Sequence, residues 1–568
     1  MNRNANSRFA LAPSVNIPRT KMQRPFNNSL TFDVGMLVPF YYNEVLPGST
    51  HRVKTHKVIR TQPLVSAPMQ ELYADTYYFY VPWRLVWSHF KNFMGENTDS
   101  PWVPNVEYTI PQLTLEPTPQ QMDAHILKNS FMDYLGLPMH NIKPGGKIEV
   151  SALYARAYAL IIQQFFQSEA VETPLNVPLD DTNRPMISSI SSSSDINNEQ
   201  NIHRGGMVYT VNKFHDYFTS VLPRPIKSNN DVLALPDIPV LATNEVYSID
   251  FIKDTLGTNT VPGLKIGVNG ASIPSPTVTG ALSIGNQIGS STQYNTLYNI
   301  PSEADIVFPK NLKAFNTTTI EDLRMAFAVE RLLNRDAIGG TRYREVLRAH
   351  FGVISPDMSQ QVPLYLGGFR KMLDISQVVQ TSETGETPLG NIAGMSLTSD
   401  SHYDFESSFT EHGLIMGLMC VRYKHRYSQG IRRCLSRKTR LDFYFPEFAY
   451  LDSQSVLKKE IYADGSDDDN DVFGYSEYAA DYRFNPDIVC AEMRPDINSG
   501  LASWSFADNY NTHPTLSRNW LKEDKTNFDR ALAVTSNVAN QIWANIQVDE
   551  IVTLPMPLYS IPPLMSSF

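Results

Sequence analysis

At 568 residues the chain is too long for one ordinary core, so it holds either two or three domains or one β scaffold with large insertions. Charged residues are only 19%, Pro (38) exceeds Gly (29), and Tyr and Phe stand at 28 each, which describes a loop-rich β protein with much surface destined for other subunits. The longest apolar run, Leu414 to Val421, is far short of the ~20 residues of a spanning helix, and three cysteines without a CxxC pair exclude a disulfide framework.

Cys420, Cys434 and Cys490 are therefore expected to be packing residues in a reducing compartment. The N-terminus MNRNANSRFALAPSV lacks a signal-peptide core, so the chain is expected to be soluble and to be made where it works. The net charge of −10 is unevenly placed: residues 1–60 hold nine Lys/Arg against two acids, Asp33 and Glu44.

Residues 1–28 carry five basic residues and no acid, with Asn, Ser and Pro in place of a core pattern, which predicts a mobile arm. That arm is either an ordinary frayed terminus or a basic arm lying on nucleic acid. A strand is expected from Leu30 through Tyr42, a turn at Pro47-Gly48-Ser49, and a return over 51–60 in which Val53 and Thr55 alternate with Arg52 and Lys54. Leu72 to Val81 is a strong strand by aromatic content.

Helices are predicted next. In 84–96, Leu85, His89 and Phe93 with Val86 and Phe90 share one helical face; Gln120 to Leu135 has Thr118-Pro119 before it and Gly136 after it; Ser151 to Gln167 carries Leu153, Ala157, Leu160, Ile161 and Phe165 on one stripe. Ile187 to Asp195 reads as a surface loop. From Asn229 to Phe308 basic residues nearly vanish and Gly, Ser, Thr and Asn dominate, so a solvated insertion with small hairpins is favoured there over a binding surface. Thr319 and Asp322 open a helix to about Arg335, and a second helix starts at Thr341 and ends near Phe351-Gly352.

Strands resume in the stretch 409–448. From Leu414 to Val421 both alternate faces are apolar or small, as in a strand covered on both sides. Beyond it Arg422, Lys424 and Arg426 fall on one side and Tyr423, His425 and Tyr427 on the other, and Arg432, Arg433, Arg437, Lys438 and Arg440 follow with no carboxylate between Glu411 and Asp442. An anion or a partner's acidic surface is the natural reader of that face. The run DGSDDDND at 464–471 lacks the Gly and Glu of an EF-hand loop in either register, and a solvated acidic loop is expected.

No HExxH, GxSxG, P-loop or dinucleotide fingerprint occurs, and Glu411, His412 and Asp404 are the nearest approach to an acid/base cluster. No catalytic constellation, metal site or cofactor is expected. Paired carboxylates that meet in space leave no local motif, so a glycosidase stays open on sequence grounds.

Several stretches carry a resemblance: YFYVPWRLVWSHFKNFMGE (78–96), KFHDYFTSVLPRP (213–225), LRMAFAVERLLNRDAIGGTRYREVLRAHFGV (323–353), FTEHGLIMG (409–417), LSRKTRLDFYFPEFAYL (435–451), VFGYSEYAADYRF (472–484) and PMPLYSIPPL (555–564). Together they resemble the major capsid proteins of the gokushoviruses, small single-stranded-DNA phages of the Microviridae. The resemblance implies a mainly β chain: a single viral jelly-roll β-sandwich with long helical and loop insertions. It divides into an arm (1–28), a first part of the jelly roll (29–228), a variable surface loop (229–308) and a second part with the helix pair and a C-terminal extension (309–568).

It also implies partners. Sixty copies would close an icosahedral shell around circular single-stranded DNA, with small basic DNA-associated and pilot virion proteins, a scaffolding protein during assembly in the bacterial cytoplasm, and a host surface receptor, and with no membrane insertion. The cations expected to neutralise packaged phosphates are Arg3, Arg8, Arg19, Lys21 and Arg24 on the arm, then Arg422, Lys424, Arg426, Arg432 and Arg433. For the second group, inter-subunit salt bridges to acidic loops such as 464–471 stay an equal alternative. The resemblance reverses the passive reading of the insertion: about Asp231 to Ile300, with Tyr247, Lys265 and Tyr294, would cluster at three-fold axes and contact the host. A carbohydrate-binding or carbohydrate-hydrolysing jelly roll and a host nucleic-acid-binding protein remain the alternatives, and neither predicts a closed particle.

Overall fold

In the computed structural model the described residues are 17–96, 107–116, 128–186, 199–224 and 320–559, less short gaps at 139–141, 144–145, 341, 355, 357–360, 382–388, 391, 449–452 and 498–500. Of 225–319 only six strand pieces are described.

Eight strands build a sandwich: β1 (Thr20–Phe32), β2 (Val38–Val45), β3 (Ser49–Thr61), β4 (Leu72–Pro82), β5 (Leu364–Met372), β6 (Thr398–Phe409), β7 (Gly413–Tyr423) and β8 (Ile542–Leu554). They form two four-stranded sheets, in the orders β1-β8-β3-β6 and β5-β4-β7-β2, and every pairing is antiparallel. Except for β4 and β5, which pair within one sheet, strands adjacent in sequence pass from one sheet to the other, which is the jelly-roll connection expected above. Two insertions interrupt it, one between β4 and β5 and one between β7 and β8.

The side chains of β7 explain the layering. Leu414, Met416, Leu418 and Cys420 join one buried cluster and Ile415, Met419, Val421 and Tyr423 join another, so alternate residues feed different cores. The second cluster fills the space between the sheets, with Val53 and Ile59 of β3, Phe405 and Phe409 of β6, and Ile542, Ile546 and Val548 of β8. The first lies on the far side of the β5-β4-β7-β2 sheet, where α1 (Leu153–Phe165) and Trp87, Phe131 and Tyr209 of the β4–β5 insertion cover it. Tyr158 of α1 donates its hydroxyl to the Leu37 carbonyl at 2.6 Å and accepts the Tyr209 N–H at 3.1 Å, which ties the insertion to the start of β2. A third cluster joins the two insertions through Tyr217, Phe218 and Val221 on one and Tyr427, Phe473 and Trp520 on the other.

Several boundaries differ from expectation. The arm does not extend to residue 28: β1 begins at Thr20 and pairs with β8 along its whole length, Thr20 opposite Leu554 to Phe32 opposite Ile542. It is an edge strand with one face exposed (Lys21, Gln23, Pro25, Asn27 and Ser29) and the other no more than half-buried up to Ser29, so its sequence carries no apolar alternation, and an edge strand is a place where Pro25 is tolerated. The strand expected from Leu30 to Tyr42 is broken at Asp33–Gly35, where Gly35 has φ +86 and a Cβ would lie 2.8 Å from Glu523 Cβ. The helical face expected in 84–96 is two short turns, Trp83–Leu85 and Phe90–Phe93; Val86 and Phe90 are buried but His89 is only half-buried. Of the helix expected over 120–135 only Phe131–Tyr134 is described as helical, and 117–127 lie outside the described residues. β5, β6, β8 and the hairpin Ile375–Val379 with Ile392–Ser396 are additions to the predicted elements. Cys420 is buried, but Cys434 and Cys490 are exposed in the loop-rich β7–β8 insertion and do not pack.

Residues 228–333 form a separate compact unit. Within it Leu282–Ile288 pairs with Ser291–Tyr298 as a hairpin, and Val240–Ala242 and Val246–Tyr247 pair with Leu312–Ala314 and Phe308–Pro309. α2 (Ile320–Gly339) runs out of this unit, and α3 (Tyr343–Phe351) follows, closed by Gly352 at φ +68.

The packing of β7 gives a test. Leu418→Ala should cost about 2–5 kcal/mol in urea unfolding of the unassembled subunit. Gly417→Val should also destabilise, because a Cβ there would lie 2.9 Å from the rings of Phe40 and Tyr78, whereas Trp543→Ala on the exposed face of β8 should change stability by about 0.5 kcal/mol or less.

Candidate nucleic-acid interface

β7 carries its alternation past its end. Tyr423, His425 and Tyr427 are buried, while Arg422 and Arg426 are half-buried and Lys424 is exposed. These cations do not form one free basic face. Arg422 Nη2 lies 2.6 Å from Asp75 Oδ2, and Arg370 of β5 reaches the same carboxylate at 2.6 Å through Nε. Arg422 also donates to Tyr77 Oη at 3.0 Å, and both guanidiniums stack on Phe214, at 4.2 Å and 4.6 Å. Burial alone would raise the Asp75 pKa, but Arg370 and Arg422 outweigh it and hold the carboxyl below its usual range. Arg422 is thus a structural cation shared between adjacent strands. Lys424 keeps only a 3.6 Å pair with Glu71, both largely exposed, a contact worth about 0–1 kcal/mol.

Further along, Arg432 donates to Asn485 Oδ1 at 2.7 Å, and Arg433 donates to the Ser455 carbonyl at 2.6 Å and lies 3.9 Å from Glu460. With Arg437, which pairs with Asp481, they line a cavity of about 130 Å³ whose walls include Glu460 and Tyr482. Burial pushes the Glu460 carboxyl up, and Arg437 Nε is buried without a hydrogen-bond partner. A groove of about 1150 Å³ adjoins, lined by Tyr73, Phe214, Arg370, Lys424, Tyr475 and Phe484 among others, and the two spaces share Tyr217, Phe484 and Asn485. Aromatic faces beside cations are the elements that hold single-stranded nucleic acid without reading sequence. Asp216, Glu477 and Asp487 on the same walls temper the charge.

Of the arm residues, Arg24 reaches Glu550 on β8 at 2.6 Å, Arg19 and Lys21 are exposed, and Arg3 and Arg8 lie outside the described residues. In the insertion, Tyr247 and Tyr294 stand on strands, whereas Asp231, Lys265 and Ile300 lie outside the described residues. The acid/base candidates are not brought together: Asp404 accepts the Thr55 hydroxyl at 2.5 Å, Glu411 pairs with Arg84 at 2.5 Å, and His412 packs edge-on against Phe90.

Sequence reasoning missed a buried ionic network at the exit of β7. His425 donates to Asp508 Oδ1 at 2.7 Å and to Glu523 Oε1 at 3.1 Å, and Lys213 reaches Asp508 Oδ2 at 3.0 Å. Tyr510 and Asn527 add bonds to the same carboxylate at 2.7 Å and 2.8 Å. Burial disfavours the charged imidazole, but the two carboxylates outweigh it and raise His425 to about 9; Asp508 is held far below the carboxylate range. No local signal marks this set, because its members come from three distant stretches. In the acidic run, Asp469 is buried and accepts the N–H groups of Asp464 and Gly465 at 3.2 Å and 2.9 Å, while His513 lies 2.8 Å from its carboxylate, so Asp467 and Asp468 are left exposed.

An eight-stranded antiparallel jelly roll with long insertions is the architecture expected of a viral capsid subunit. The capsid protein (F protein) family model matches residues 10–564, and the chain belongs to that family. It is similar to capsid protein VP1 of Spiroplasma virus 4, 35% identical over 98% of this chain and 97% of that protein. Capsid protein VP1 of Bdellovibrio phage phiMH2K is 32% identical over 99% and 98%, and that of Chlamydia phage 1 is 30% identical over 98% of each.

Two outcomes follow from the buried charges. Asp75→Ala leaves Arg422 without its carboxylate and should cost about 3–5 kcal/mol in denaturant unfolding. Because the folded pKa of His425 lies above its ordinary value of 6.5, its contribution is complete below about pH 6.5 and is lost as pH rises through about 9. The melting temperature of the unassembled subunit should fall across that window, and His425→Gln should flatten the fall.

Proposed function

We propose that this capsid protein closes, as sixty copies, into a small icosahedral shell around circular single-stranded DNA in the bacterial cytoplasm. The observation that carries the reading is the full-length family match on an eight-stranded jelly roll. The many exposed large apolar side chains support it, among them Ile354, Leu435 and Leu441, since a lone soluble subunit rarely presents such surface unless a partner covers it. Lys424, Arg432, Arg19 and Lys21, with Arg3 and Arg8 on the arm, supply positive charge toward packaged phosphates, and Arg24, Arg422 and Arg433, each paired within the subunit, hold the scaffold behind them. Small basic DNA-associated proteins, a pilot protein and a scaffolding protein complete the particle. The segment from Asp231 to Ile300, with Tyr247, Lys265 and Tyr294, protrudes at three-fold axes and meets the host receptor.

Sedimentation and negative-stain microscopy of the purified chain, alone and with single-stranded DNA or scaffold, should give uniform round particles or pentamers that close on addition. A monomer that never assembles but binds sugar or nucleic acid contradicts the proposal. Deleting 231–300 should leave particle yield within about twofold and abolish adsorption to host cells, as expected for a surface loop carrying recognition.

A further inference from the structure

The stretch that follows β7 carries an unusual surface. Ile431, Leu435, Leu441, Phe443 and Tyr444 are exposed, with Leu435 at 77% and Leu441 at 69%. They do not stand alone. Arg437 stacks on Phe443 at 5.3 Å and on Tyr482 at 4.5 Å, Arg440 lies 5.2 Å over Phe445, and Tyr444 is 6.0 Å from Tyr482. The result is a patch of Tyr, Phe, Leu and Arg, the composition of a protein interface core. Lys438 and Arg440 are exposed on it and make no ion pair among the described residues.

Two occupants compete for a basic, apolar patch. Nucleic acid would use the cations and the aromatic rings but leave Leu435 and Leu441 in water. A protein surface with matching acids would cover all of them. The chain itself supplies such a surface: in the loop Asp464–Asp471, Asp464, Asp467 and Asp468 are exposed, and Val472 beside them is exposed as well. The loop is held in shape before any contact, because buried Asp469 ties the N–H groups of Asp464 and Gly465 and is gripped by His513, while Lys458 clamps Asp471 at 2.8 Å. A surface that needs no ordering on docking binds at lower entropic cost.

We propose that the segment Ile431–Phe448 of one copy docks on the acidic loop Asp464–Asp471 of a second copy of this chain, with Lys438 and Arg440 facing Asp467 and Asp468 and Leu435 and Leu441 covering the apolar rim. This rests on the shell reading above and names the contact within it. Rim charges of this kind set register and association rate more than total affinity, so reversing them should act on assembly and leave the fold intact.

The test is a charge swap in the full-length protein, with particle yield read by sedimentation and folding by thermal melting of the subunit. Lys438→Glu with Arg440→Glu, and separately Asp467→Lys with Asp468→Lys, should each lower particle yield roughly tenfold with unchanged melting; all four together should restore it. Normal yield in either double variant, or no recovery in the combination, overturns the pairing. Normal particles that package less DNA would assign the segment to nucleic acid and overturn it too. A wild-type chain that forms no particle in the same runs overturns the shell reading itself and this contact with it.

Discussion

Everything in the subunit depends on β7 being buried on both faces. A fully buried Leu, Ile, Met or Val side chain contributes about 1.5–3 kcal/mol, and β7 places a run of them in two cores at once. One face closes the sandwich, and the other packs into the cluster that the β4–β5 insertion builds largely from its own side chains, fastening the insertion to the sheet. The surface ion pairs of the chain, at about 0–1 kcal/mol each, cannot substitute for this.

Where β7 leaves its cores, the strand meets buried charge, and there the physics reverses. Asp75 and Asp508 are each far from water and each satisfied by two cations, so neither is costly while its partners remain. Together they lock β7 to β4 and β5 on one side and to Lys213 and the 508–527 stretch on the other. Within the basic run Arg422, Arg433 and Arg437 are consumed in fastening, whereas Lys424, Lys438 and Arg440 stay exposed. The same run of sequence therefore does two jobs, graded by depth.

Much of this was legible in the sequence because it is local. The double apolar alternation of 414–421, the one-sided alternation of 51–60, the aromatic run of 72–81 and the stripe of 153–165 each reflect a face seen by one element. The unread parts depend on distant partners. β6 buries little besides Thr398, Phe405 and Phe409, so its sequence is mostly Ser, Asp and His, and β1 becomes a strand because β8, more than five hundred residues away, pairs with it. The basic residues after Val421 were visible, but not that Arg422 would meet Asp75 or that His425 would sit between Asp508 and Glu523. Residue type gives the charge, and only the fold gives the partner.

The central claim is that the subunit is fully folded around β7 before assembly, which merely covers its outer surfaces. Amide hydrogen exchange on the free subunit and on the particle tests this most directly. Residues 413–423 should be among the slowest amides and equally protected in both states, while new protection on assembly falls on exposed segments. Fast exchange across 413–423 in the free subunit, slowed only in the particle, would contradict it.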